Sequence, residues 1–121
     1  MDYIYYNNNM LGIEESDCVT RAISLASGYS YAAIQDKLYY ISKLYDCSEL
    51  DVCCYQHLLN DVFQYPQVYC YGMTVEEFAE ENPIGVYILR MNGHASCLVN
   101  GVLHDIWNCE DLELTHVWQV E

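Results

Sequence analysis

Along the chain the spacing of apolar residues changes once. Before residue 82 they recur every three or four positions, the period of a helix face; from residue 86 they alternate or run together, the habit of strands. Val19, Ala22, Ile23 and Ala26 share one helical face. Asp17 suits the N-cap and Gly28 the residue after the last turn, so the spacing predicts a first helix over Cys18–Ser27. Ser30 caps a second helix, Tyr31–Tyr45, with Ile34, Leu38, Ile41 and Tyr45 on its buried stripe. Ser48 with Asp51 resembles a capping box and opens a third helix that reaches residue 62, its core face made of Leu50, Cys53, Cys54, His57, Leu58 and Val62. Residues 64–72 read as a loop. Thr74 with Glu77 forms a capping box for a short helix that buries Val75, Phe78 and Ala79 and stops at Asn82-Pro83.

Residues 1–16 read as irregular, with a short strand at 3–6 and turns at Asn7-Asn8-Asn9 and Gly12. Val86–Met91 is apolar on both faces except for Arg90, which suggests an interior strand. Asn100-Gly101 is a strong hairpin signal, because a type I′ turn needs positive φ at both central residues. That turn sets a register: Val99 opposite Val102, Leu98 opposite Leu103, Cys97 opposite His104, Ser96 opposite Asp105 and His94 opposite Trp107. His94, Ser96, Leu98, Leu103, Asp105 and Trp107 then share one face, with His94 and Asp105 as diagonal neighbours. Residues 115–120 close the sheet. Helices followed by an antiparallel sheet place the chain in the α+β class, as a single domain over residues 1–121.

Composition narrows the functions open to such a domain. Four basic residues against eighteen acidic ones give a net charge of −14, which argues against contact with a phosphate backbone. A basic substrate, a basic protein partner or an acidic decoy of nucleic acid each fits that charge. The N-terminal residues carry no export signal and no stretch is long and apolar enough for a membrane span, so a cytoplasmic setting with reduced thiols is expected for the seven cysteines. No C-x-x-C pair and no four-ligand spacing occurs, so no metal or other cofactor is expected. Cys97 facing His104, and Cys53 one turn from His57, read as packing.

Cys18 falls in the first turn of its helix, where unpaired amides and the dipole favour a thiolate. His94 beside Asp105 supplies an imidazole with an orienting acid, the remaining parts of a nucleophile–base–orienter set. Asn108 is a rival orienter, but a regular hairpin points it away from His94.

The segment Asp17-Cys18-Val19-Thr20-Arg21-Ala22-Ile23, with Leu25-Ala26-Ser27-Gly28, resembles the nucleophile helix of small, phage-associated papain-like cysteine peptidases. Thr74-Val75-Glu76-Glu77-Phe78-Ala79, with Asn82-Pro83 and Gly85-x-Tyr87-Ile88-x-Arg90, resembles the helix and strand ahead of their histidine. Gly93-His94-Ala95, Asn100-Gly101 and Asp105-x-Trp107 resemble their histidine and acid strands. The resemblance covers roughly half the chain in the family's order of Cys, His, then Asp or Asn. It implies a papain-like fold and thiolate attack on an amide or related acyl bond of a protein or peptide. Cys18 would be the nucleophile, His94 the general base and acid, Asp105 the orienter and Trp107 the cover over the His–Asp bond. The family usually adds a Gln or Asn ahead of the cysteine to its oxyanion hole; Asn7, Asn8 and Asn9 are the residues of that type here. Two rival readings remain. One is an acidic binding protein on the same scaffold, such as an inhibitor of a host defence factor, which would keep its effect in a Cys18→Ala variant. The other is an assembly protein, which would form large homo-oligomers and carry no reactive thiol.

Overall fold

Asn100 and Gly101 adopt φ of 47° and 77°, the paired positive values that a type I′ turn demands. The computed structural model describes residues 1–121, and its sheet grows outward from this turn. β1 is Asp2–Tyr5, β2 Val86–Met91, β3 His94–Val99, β4 Val102–Asp105 and β5 Leu114–Gln119, in the spatial order β1-β4-β3-β2-β5. β3 and β4 pair in the expected register, Cys97 with His104, Leu98 with Leu103 and Val99 with Val102. β2 runs antiparallel between β3 and β5, interior as its two-sided apolar pattern requires.

The sheet is mixed rather than antiparallel. β1 adds to the edge of β4 in parallel, Tyr3 beside Leu103. A parallel pair needs a long crossover, and the whole helical half of the chain lies between these two strands. Alternation within one strand reveals strand character but not the direction of its partner.

Helices cover both faces. α1 (Cys18–Ser27), α2 (Tyr31–Tyr45) and α3 (Val52–Gln56), which continues as a π-helical segment over His57–Val62, enclose Ile23, Ile34, Leu38, Leu58, Ile88 and Trp118 on one side. α4 (Val75–Glu81) closes the other side over Phe78, Leu89, Leu98, Leu103 and Val117. Successive residues of β2 thus feed opposite cores, Ile88 one and Leu89 the other. The cap at Ser30, the left-handed Gly28 and the full Thr74–Glu77 capping box are all present.

The third helix departs from expectation. It begins at Val52 behind Asp51, not at Ser48, and neither side chain caps it with a helix-start hydrogen bond. Cys54, Tyr55, Leu58 and Leu59 are buried, whereas Leu50, Cys53 and Val62 face solvent. The late start and the wider π turn rotate the face that meets the core. A disulfide joins Cys47 to Cys54, whose Cα atoms lie 5.6 Å apart, so the seven cysteines are not all reduced. It fastens the segment after α2 to α3, and Cys18, Cys53, Cys70, Cys97 and Cys109 remain as thiols. No helix is long and apolar enough to cross a membrane.

Candidate active site

Cys18 is the first residue of α1, which packs across β3 and β2. Asp17 precedes it at the N-cap position, but its carboxylate does not cap the helix. Three other donors take it: Arg21 Nε at 2.7 Å, Asn9 Nδ2 at 2.8 Å and the Tyr31 hydroxyl at 2.8 Å. The capping expected of Asp17 is lost because a charged donor one turn away outcompetes a backbone amide. The amides of Cys18, Val19 and Thr20 consequently carry no protein acceptor. They are the orphan donors of a helix start, set beside the sulfur.

His94 opens β3 and Asp105 closes β4. The hairpin register brings them to one face, with His94 Nε2 2.7 Å from Asp105 Oδ2. Ser96 Oγ donates to the same oxygen at 2.6 Å. The Ile106 amide donates to Oδ1 at 2.7 Å, and Arg21 Nη1 lies 3.1 Å from it. Asp105 is 2% exposed, so this set of donors is what permits a charge there. Burial pushes its carboxyl up, but the bonds from His94 and Ser96 outweigh that and hold it below the usual carboxylate range. With Nε2 engaged, Nδ1 is the imidazole nitrogen left for a further partner.

Cys18 and His94 line one cleft of about 510 Å³, together with Arg21, Tyr55, Arg90 and Trp107. Burial raises the Cys18 thiol. The neighbouring His94 imidazole, the Ala95 amide and the charge of Arg21 outweigh it, so the thiol sits below its ordinary pKa. Burial also works against a charged His94, yet the hydrogen bond to Asp105 and the nearby Cys109 and Cys18 thiols raise its pKa to about 11. Both shifts run toward a thiolate beside an imidazolium. Trp107 lies beyond the end of β4, not opposite His94 in the ladder. Its ring nevertheless rests 4.8 Å from the imidazole, tilted by 43°, with 44% of the residue still exposed.

Asn7, Asn8 and Asn9 do not reach this cleft as oxyanion donors. Asn7 Nδ2 donates to the Ile13 carbonyl and Asn8 Nδ2 to Ser24 Oγ and the Arg21 carbonyl, while Asn9 Nδ2 serves Glu15 and Asp17. Their loop packs against α1, where these amides satisfy scaffold acceptors. No Asn or Gln lines the cleft, and the unpaired first-turn amides of α1 stand at its Cys18 end. Asn108 accepts from the Glu110 amide and takes no part. Cys97 is fully buried, its thiol pushed up to about 12 by that burial, and His104 Nδ1 binds the Val102 carbonyl, so the pair is packing. His57 pairs with Asp61 and stacks on Tyr45.

Sequence reasoning missed Arg21, Ser96 and Cys109. Arg21 carried a readable signal, as one of only four basic residues and four positions after an aspartate. Ser96 was placed opposite Asp105 without a role. Cys109 Sγ lies 3.8 Å from Asp105 Oδ2, and with His94 these residues form a set of possible metal ligands. That set coincides with the His–Asp pair, so a metal there would compete with their hydrogen bond. No protein-family model, curated protein or solved structure matches this chain.

Proposed function

We propose that the chain is a cysteine hydrolase of papain-like fold, cleaving an amide or isopeptide bond in a protein or peptide. The observation that carries the reading is the shared cleft. A helix-start thiol of lowered pKa lines it with an imidazole whose far nitrogen is held by a buried carboxylate. A helix bearing Cys, packed on a sheet bearing His and Asp, is also the arrangement that the sequence resemblance implies.

In this reading the Cys18 thiolate attacks the acyl carbon, forming the C–S bond and moving the carbonyl electron pair onto oxygen. The unpaired amides at the start of α1 face that developing charge. The imidazolium of His94 gives its Nδ1 proton to the leaving amine as the C–N bond breaks. His94 then takes a proton from water, whose oxygen attacks the thioester as the C–S bond breaks, releasing the acid and restoring the Cys18 thiolate beside the His94 imidazolium. Asp105 keeps the ring oriented and favours its charged form throughout.

A generic acyl donor tests this without a known substrate. p-Nitrophenyl acetate should give a burst of nitrophenol, with the acetyl group mapped by mass to Cys18. Cys18→Ala should abolish the burst, and His94→Ala should slow it by about 10² to 10⁴, the usual worth of a positioned general acid–base. Acetyl groups spread over the other thiols, with Cys18 unmodified, would overturn the proposal.

A further inference from the structure

The cleft holds one cation that nothing in the protein neutralises. Arg21 is spent on Asp17 and Asp105, and the charge of His94 on Asp105. Arg90, from the interior strand β2, lines the same cleft half-buried and makes no salt bridge. Its Nη1 donates to Thr115 Oγ1 at 2.9 Å, and Tyr55 lines the cleft beside it. Neither neighbour carries a charge. Of the four basic residues only Arg21 pairs with a carboxylate, and Lys37 and Lys43 lie on α2 outside this cleft, so Arg90 is the unpaired cation of the cleft. Glu15 and Asp51 also line the cleft, but neither pairs with Arg90; Glu15 instead accepts from Asn9 Nδ2 at 2.7 Å.

A guanidinium held by one hydrogen bond to a neutral hydroxyl keeps other N–H donors in a planar fork, suited to a carboxylate. Its cost of partial desolvation is met when an anion arrives. We propose that Arg90 is a specificity-determining residue of this cleft, binding a substrate carboxylate close to the bond attacked by Cys18. The inference rests on the hydrolase reading and adds the substrate class: an acyl compound carrying an acidic side chain or a free chain-terminal carboxylate near the reacting carbon.

Affinity labels separate the two sources and need no turnover. The first pair is two dipeptidyl chloromethyl ketones that differ only in Glu against Gln beside the reactive carbon. The second pair is chloroacetyl-leucine as its free acid and as its amide. In each, the Cys18 thiolate forms a C–S bond and displaces chloride. The readout is the ratio of acid to neutral labelling rates at Cys18 within one protein sample, which cancels any loss of folded material. For at least one pair the ratio should exceed unity in the wild type and fall by about tenfold or more in Arg90→Gln, the size of one charge-assisted hydrogen bond. Arg90→Lys, which keeps the charge, should retain part of the preference. A preference in the first pair assigns the carboxylate to a side chain, and in the second to a chain end. Equal ratios in wild type and Arg90→Gln for both pairs would overturn the role of Arg90 while leaving the nucleophile intact. Failure of every label to reach Cys18 would instead sink the hydrolase reading and this one with it.

Discussion

Arg21 joins the two halves of the site. Its Nε holds Asp17 at the start of α1 and its Nη1 holds Asp105 at the end of β4, with all three side chains buried. Arg21→Met would keep the volume and strand two carboxylates, a change that typically costs about 3 to 5 kcal/mol. Urea denaturation should show a loss of that order, and a loss below about 1 kcal/mol, the worth of an exposed pair, would contradict the account. The same melts across pH carry a sign. Asp17 and Asp105 titrate below the ordinary 3.8, so their contribution is present above that value and lost as pH falls through their folded pKa values. His94 is raised from 6.5 to about 11, so its contribution is whole below 6.5 and lost as pH rises through about 11. Cys18, lowered from its ordinary 9.0, works the other way, so stability should fall on the acid side as the two carboxylates are protonated and on the alkaline side, above about 9, as His94 loses its proton. Cys18, His94 and Asp105 were legible in the sequence because helix-start and hairpin signals are local. The Arg21 bridge was not, because its second partner is 84 residues away.

The elements that assemble this site were read well where one short rule decides them. The Asn100-Gly101 turn fixed the β3–β4 register, and the Thr74–Glu77 box fixed the start of α4. The rules failed where a distant partner decides. β1 looked like a stray strand until β4 paired with it, and α3 took its boundary from the chain around Cys47 and Cys54. Spacing alone gave Cys47 no role, since one thiol's partner depends on how α2 and α3 meet. Closing so short a loop stabilises by roughly 2.5 kcal/mol in the chain-entropy account. Alkylation under denaturing, non-reducing conditions should mark five thiols, and seven after reduction, with the two new marks on Cys47 and Cys54. Seven marks before reduction would show that the crosslink is absent.

Taken whole, the molecule sets a strongly acidic exterior against a cleft that collects both of its arginines and one charged histidine. Bulk charge therefore describes the surface and not the site, which is why composition alone could not suggest a substrate carboxylate. The site itself exists only because the tertiary fold brings the start of α1 against the first residues of β3, 76 positions onward by their numbering from Cys18 to His94. The most direct test of that convergence is the pH profile of Cys18 alkylation by iodoacetamide, mapped residue by residue in the wild type and in His94→Ala. In the wild type Cys18 should react ahead of the exposed Cys53, with its inflection below the ordinary thiol value of about 8.5. In His94→Ala the inflection should move up toward that value. Identical profiles in the two proteins, or Cys53 reacting first in the wild type, would contradict an activated thiol paired with His94.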